Sequence, residues 1–373
     1  MAEHDVTAET KMTVHQRDLA DLGRRLAAWL EVPLKAEGQV QVSDVHAPSG
    51  GGMSSVTVLL HATWTSEGSE QEADLVARLA PDESSFPVFP SYDIRRQYDV
   101  MAGVAATSEV PVPRLVGIEE SSDLLGAPFL VMHAVDGRAP TDNPPYVFGG
   151  WLYDATPEER RRLQDATVDV IAGIHAVPLE QFPSLRAEAG DDALRAHVQG
   201  QRDHYAWTHA TDGIRVPILE RTFDWLDQHW PADPGDTVLS WGDARPGNIL
   251  YDGFDPAAVL DWEMAALAPR GVDVAWMALI HAFFQDIANV FELPGLPDFA
   301  VAEDVAARYA QTSGHEIQDL HWYLVYAALR HGVVMSQVKR RMIHFGEETA
   351  PEDPDDYVMH RALLERLLEG PAA

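Results

Sequence analysis

Ser240-Trp241-Gly242-Asp243-Ala244-Arg245-Pro246-Gly247-Asn248, followed after two short apolar runs by Leu260-Asp261-Trp262-Glu263, is the stretch on which the reading of this chain turns. Ile249-Leu250-Tyr251 and Ala258-Val259-Leu260 are apolar runs of strand length, and Asp252-Gly253 opens the connection between them with residues that tolerate positive φ. The pattern predicts a hairpin that brings Asn248 and Asp261 to neighbouring strand ends. A carboxylate, an amide and a second carboxylate in this order suit one kind of chemistry. The first orients a nucleophilic hydroxyl, and the other two hold a divalent cation against phosphate oxygens. Each residue alone is explained equally well as a turn former in a Pro-Gly loop. The ordered set is not.

The Asp-x4-Asn spacing is that of a kinase catalytic loop. The segment from Ser240 to Trp276 resembles the aminoglycoside phosphotransferase superfamily of small-molecule kinases, in particular the branch related to the kinase-like domain of some acyl-CoA dehydrogenases. The family usually has His-Gly-Asp where this chain has Trp241-Gly242-Asp243, a departure that bears on loop packing more than on chemistry. The resemblance extends loosely over residues 40 to 280. It implies an α+β, protein-kinase-like fold of two lobes, with an antiparallel sheet in the first and mainly helices in the second. It further implies that Asp243 accepts or orients the proton of an acceptor hydroxyl, and that Asn248 and Asp261 bind Mg²⁺. The donor would be ATP or GTP, and the acceptor a small hydroxylated molecule whose identity no motif reveals.

Arg245 has two readings: it stabilises the transferring phosphoryl group, or it pairs with a carboxylate and holds the loop. Glu263 is expected to support the metal site from behind. Asp273, within Pro269-Arg270-Gly271-Val272-Asp273-Val274-Ala275-Trp276, matches the family's segment after the metal site. Its expected role is structural, capping backbone N–H groups at a helix start and bracing the catalytic loop.

Composition narrows the alternatives. With 373 residues, 23% charged and 46% hydrophobic, the chain reads as a folded protein too long for a single core. Asp plus Glu outnumber Lys plus Arg by 59 to 27, a formal charge of −32 that repels nucleic-acid backbones and anionic lipid. Neither nucleic acid nor a membrane is an expected partner, and oligomeric state stays open. With no cysteine, disulfides and thiolate chemistry are excluded. The 16 histidines include no His-Glu-x-x-His pair, and Gly-x-Ser-x-Gly is absent. The first residues lack a basic segment and an apolar core, so the expected location is cytoplasmic.

The expected domains are a helical extension over 1–35, a nucleotide-binding lobe over 36–135 and a catalytic, acceptor-binding lobe over 136–373. A helix is predicted from Val14 to Leu30, with Leu19, Leu22, Leu26 and Leu30 at helical steps. Strands are predicted over Gln39 to Val45, Ser54 to Trp64, Ala73 to Leu79 and Phe129 to Val135, with a helix over Asp93 to Ala106 between the last two. Val135-Asp136-Gly137 reads as a hinge. Thr156-Pro157-Glu158-Glu159 is a capping signal for a helix reaching Ala176. Further helices are predicted near Pro217 to His229, Val272 to Phe284, Val301 to Thr312, Ile317 to Arg341 and Pro354 to Leu368. Trp276, Trp322, Tyr323 and Tyr326 read as core residues of these helices.

Nucleotide binding is assigned to Ser49, Gly50, Gly51, Gly52, Ser54 and Ser55, a run able to bring backbone N–H groups to phosphate oxygens, and to Arg78, His133 and Val135. Only Lys11, Lys35 and Lys339 are lysines, so Arg78 is the cation offered by the strand over Ala73 to Leu79. Gln97 stands where the resembled pattern commonly has a Glu partner for that cation. Two other readings stay open: a nucleotide-binding protein without turnover, and a metal-dependent phosphohydrolase using the same aspartates.

Overall fold

The computed structural model describes residues 19–47, 56–81 and 85–370, and the chain divides into two units. The first comprises Met1–Pro87 with Val116–Ala134, and the second Val88–Leu115 with Val135–Ala373.

In the first unit, helix α1 (Leu19–Leu30) buries Leu22, Leu26 and Leu30. Its partner is a five-stranded sheet of order β1-β2-β3-β5-β4, with β1 Gln41–His46, β2 Val56–Ser66, β3 Ser69–Leu79, β4 Leu115–Glu119 and β5 Phe129–His133. Strands β2 and β3 join through Glu67-Gly68, both at positive φ, the geometry of a tight hairpin that keeps the strand twist. Alternation sends Val58, Leu60, Ala62, Leu75, Ala77 and Leu79 into one core with α1. Trp29 packs edge-on against Phe129 and its indole N–H donates to Glu119.

The second unit is mainly helical. Helix α2 (Ile94–Thr107) starts at Asp93, whose side chain accepts from the Arg96 N–H, and Arg96 pairs with Glu188 at 2.8 Å. An added Cβ on Gly103 would sit 2.5 Å from the Phe182 ring, so this helix lies close against the segment that precedes α4. These contacts explain why residues 88–115, read from sequence as part of a lobe over 36–135, group with the second unit.

Helix α3 (Pro157–His175) carries the full capping box of Thr156 and Glu159. The other helices are α4 Pro183–Ala189, α5 Ala193–Ala210, α6 Pro217–Gln228, α7 Gly271–Val290, α8 Ala302–Ser313, α9 Leu320–His344 and α10 Arg361–Glu369. Two short antiparallel pairs lie among them: β6 (Thr237–Ser240) with β9 (Ala266–Pro269), and β7 (Ile249–Asp252) with β8 (Asp255–Val259).

One expectation needs correction. The single helix over Pro354 to Leu368 is a short 3-10 turn, Pro354–Tyr357, followed by α10. Asp355 explains the break, because its carboxylate accepts from the Ile218 N–H at 2.6 Å and holds the turn on α6. Helices α4 and α5 had no sequence signal. On α5 the buried face includes His204 and Thr208, polar residues that blur the apolar period.

Candidate active site

The loop between β6 and β7 is built around a buried acid. Asp273, fully buried in the first turn of α7, accepts from the Ser240 hydroxyl at 2.7 Å and from the backbone N–H groups of Trp241 and Gly242 at 2.7 and 3.0 Å. His175 Nε2 lies 3.1 Å from the same carboxylate and His175 Nδ1 is 2.7 Å from the Tyr309 hydroxyl. Burial opposes ionisation of Asp273, yet the hydrogen bonds from His175, Ser240 and Trp241 hold its carboxyl below the usual carboxylate range. The acid braces the loop as expected, but no side chain caps α7.

Gly242 is where the loop turns. Its φ is +90°, and a Cβ there would meet the Met264 carbonyl oxygen at 2.2 Å. Gly242→Ala is therefore expected to destabilise the protein by roughly 2 kcal/mol or more, read as a lower midpoint in thermal unfolding. An unchanged midpoint would show that the loop has another packing available.

Asp243, the next residue, is held on three sides. Its Oδ1 accepts from Trp276 Nε1 at 2.7 Å and Arg245 Nε at 3.0 Å, and its Oδ2 accepts from Asn248 Nδ2 at 2.6 Å. The Asn248 amide nitrogen also donates to the Asp243 carbonyl at 3.0 Å. Arg245 bridges onward to Asp142, whose two carboxylate oxygens lie 2.7 and 2.6 Å from Nη1. Burial works against the Arg245 charge, but Asp243 and Asp142 more than offset it and raise its pKa.

The hairpin predicted between Asn248 and Asp261 is present, with Ile249 opposite Val259 and the Leu260 N–H donating to the Asn248 carbonyl at 2.9 Å. Asn248 and the residue before Asp261 are thus hydrogen-bonded. Trp241, fully buried, donates from its indole to the Leu260 carbonyl at 2.9 Å and packs near Trp262. Trp241 thereby ties the loop to the strand end that carries Asp261. Asp261 itself has φ +57°, a conformation that a non-glycine residue holds at a cost and that clusters at functional sites.

Asp243, Arg245, Asn248 and Asp261 all belong to the second unit, the first three in the segment between β6 and β7 and the last just beyond β8. Arg78 is buried on β3 of the first unit, with Thr57 and Leu130 as its backbone neighbours, so it is no solvent-facing edge residue. Alternation places it on the face opposite Ala77 and Leu79. His133 ends β5 in the first unit, Val135 opens the second part of the other unit, and Gln97 is buried on α2. Ser49, Gly50, Gly51, Gly52, Ser54 and Ser55 lie outside the described residues.

Three contributors were missed from sequence. Trp276 is buried, as a core residue of α7 should be, but its N–H donates to Asp243. Its spacing of three from Asp273 on one helix was the available signal, since such residues share a face. Asp142 and Arg330 are remote in sequence from the loop they contact. Arg330 Nη2 donates to the Gly242 carbonyl at 3.0 Å, and its guanidinium lies 4.5 Å from the Trp276 ring centroid.

Residues 48–319 match the family described as Phosphotransferase enzyme family. Among curated proteins, acyl-CoA dehydrogenase family member 10 of Mus musculus is 26% identical over 284 residues, covering 73% of this chain and 25% of that protein. A probable acyl-CoA dehydrogenase of Arabidopsis thaliana, IBR3, is 22% identical over 280 residues, covering 70% of this chain and 32% of that one. The chain therefore spans a third or less of these relatives' length.

A solved structure of a candidate aminoglycoside phosphotransferase from Ralstonia eutropha aligns with a TM-score of 0.65 and 22% identity, over 93% of this chain and 97% of that one. A thermostable mutant of aminoglycoside phosphotransferase APH(4)-Ia, crystallised with ADP and hygromycin B, aligns at 0.54 and 16%, over 93% and 99%. These likenesses show the fold, which is the α+β, protein-kinase-like one expected from the sequence. By the family match over most of its length, this chain belongs to the phosphotransferase enzyme family.

Proposed function

We propose that the chain transfers the γ-phosphoryl group of ATP or GTP to a hydroxyl of a small molecule, with Mg²⁺ as cofactor. The observation that carries this reading is the hydrogen-bonding of Asp243. A carboxylate offers about four lone-pair sites, and here Oδ1 receives two donors while Oδ2 receives one. The remaining site on Oδ2 is the one an acceptor hydroxyl would meet. There Asp243 aligns the hydroxyl oxygen for attack on the γ-phosphorus and takes its proton as the bond to the β–γ bridging oxygen breaks. Trp276 and Arg245 fix the carboxylate's orientation, and the two ion pairs of Arg245 support a positioning role for it.

The donor set fits Mg²⁺. With the Asn248 nitrogen committed to Asp243, its Oδ1 is the oxygen left for a hard cation, and Asp261 adds a carboxylate held in a strained conformation. Among the described residues no group of three or more His, Asp or Glu forms an all-protein metal cage. Mg²⁺ is commonly held by one or two carboxylates together with substrate phosphates and water. When bound, it supplies charge neutralisation at the phosphate oxygens. Arg78 and the Ser49 to Ser55 run are proposed to bind phosphates, and His133 and Val135 to bind the rest of the nucleotide.

Asp261→Ala is expected to weaken nucleotide binding in Mg²⁺ at least tenfold, to the affinity seen with EDTA. Calorimetric titration with ATP checks it, and an unchanged Mg²⁺ dependence would remove Asp261 from the metal site.

Hygromycin B and macrolides, the compounds named for structurally similar phosphotransferases, are hydroxyl-rich small molecules. The test is nucleotide consumption against aminoglycosides, macrolides, choline, sugars and hydroxyacyl compounds, with Asp243→Asn as control. Nucleotide binding with no turnover on any class would favour a non-catalytic role. Release of phosphate from simple esters without nucleotide would favour hydrolysis.

A further inference from the structure

At 1% exposure, Arg330 on α9 is more deeply buried than Arg78 or Arg340, the other buried arginines among the described residues. Arg340 is well matched, pairing with Asp212 at 2.8 Å and donating to the Ser336 and Ile214 carbonyls. Arg330 is not. Its Nη2 donates to the Gly242 carbonyl at 3.0 Å, whereas Nε and Nη1 have no hydrogen-bond partner and the guanidinium joins no ion pair among the described residues. Burial works against its charge, and the carboxylates of Asp273 and Asp243 recover only part of what burial removes. Unmet donors on a buried cation are costly. An apolar side chain of similar volume in place of a buried charge is often neutral or stabilising, so stability alone does not account for an arginine at this position.

What the guanidinium touches is the support of Asp243. Its Cζ lies 4.5 Å from the centroid of the Trp276 ring and 5.9 Å from that of Tyr326. Trp276 Nε1 in turn donates to Asp243 Oδ1 at 2.7 Å. The carbonyl that accepts from Arg330 belongs to the peptide joining Gly242 to Asp243. A cation against an indole face is attracted to the ring and draws electron density from it, which makes the ring N–H a stronger donor. A hydrogen bond to a carboxylate in a buried, low-dielectric setting gains most from that change. One buried charge therefore acts on both the backbone and the side chain of Asp243 without meeting its carboxylate.

We propose that Arg330 is a positioning residue for Asp243, fixing the Gly242 to Asp243 peptide through Nη2 and holding the Asp243 carboxylate through the ring of Trp276. The inference rests on the reading of Asp243 as the group that orients the acceptor hydroxyl, and it adds a residue of α9 to that machinery.

The indole N–H resonances of the full chain without nucleotide report the contact independently of turnover. Of the ten tryptophans, the one whose signal disappears in Trp276→Phe is identified as Trp276. That proton should move upfield in Arg330→Met, as its bond to Asp243 weakens. Turnover of ATP, with the acceptor found by the screen or with water in its place, should fall in Arg330→Met by about 10- to 100-fold in kcat. KM for ATP should stay within about twofold. Arg330→Lys keeps a cation beside the ring and should recover part of the lost rate, which filling the same space would not do; it also carries the test if Arg330→Met does not fold. An unmoved Trp276 signal, a loss confined to KM or to the unfolding midpoint, or no recovery in Arg330→Lys would each overturn the assignment. Turnover indifferent to Asp243→Asn, with the Trp276 signal still moved by Arg330→Met, would instead reject the role of Asp243 and leave the Arg330 contact standing.

Discussion

Asp243→Asn should lower the turnover of phosphoryl transfer by about 10² to 10⁴ while leaving nucleotide affinity within about twofold. The substitution is nearly isosteric, so the Trp276 and Arg245 donors on Oδ1 can still find an oxygen. What is lost is the charge and the proton acceptor on the side facing Asn248, where two amide nitrogens would now compete for the same space. Because Asp243 is proposed to act on the acceptor and not on the nucleotide, the loss should fall on kcat and spare binding. Steady-state kinetics with the acceptor found by screening, together with ATP titration by calorimetry, separates the two. Equal rates for the two proteins would remove Asp243 from the chemistry. A loss of nucleotide affinity matching the loss of turnover would move it to the metal site instead.

The parts of this protein that were legible in its sequence are those governed by local rules. The β7–β8 hairpin was readable because Gly253 and two apolar runs specify it within a dozen residues. Helix α3 was readable because Thr156 and Glu159 form a capping box that needs no tertiary partner. Strand β4 and the β6–β9 pair were not, since four or five residues carry too little period to register. The same division runs through the candidate site. Asp243, Asn248 and Asp261 are ordered by spacing, whereas Asp142 and Arg330 reach the loop across 103 and 88 residues of sequence. Contacts of that kind follow from how helices pack, and no motif records them. Arg245 shows the boundary between the two: its position in the loop was evident, but only its bonds to Asp142 and Asp243 favour holding the loop over meeting a phosphate.

Stability should fall steeply as the pH drops from 7 towards 5, because the fold buries histidines in neutral form. Burial pushes His197 down to about 3, and His281 and His360 to about 4. His331 lies well below the usual value through burial and the adjacent His360, and His204 is lowered by burial. The hydrogen bonds explain why the neutral forms are held. His360 Nε2 donates to the Ala328 carbonyl at 2.8 Å, so its Nδ1 must accept from His331 Nδ1, 3.1 Å away. A further proton on His360 would set two N–H groups face to face. Above about pH 6.5 both folded and unfolded chains carry these rings neutral, and the stability is fully present. Below it the unfolded chain takes up protons that the fold refuses, at about 1.4 kcal/mol per pH unit for each ring. With the four rings held lowest, His197, His281, His331 and His360, the slope approaches about 5 kcal/mol per pH unit, enough to consume much of a typical stability of about 5 to 15 kcal/mol by pH 5. The depressed pKa of Asp273 acts in a lower window, since its contribution is present above the unfolded carboxylate value of about 3.9 and is lost only as pH falls through its folded pKa. Thermal unfolding at constant ionic strength between pH 7.5 and 5 checks the prediction. A midpoint that stayed level over that range would mean that the rings are protonated in the folded protein, and that the contact of His331 with His360 is not between neutral rings.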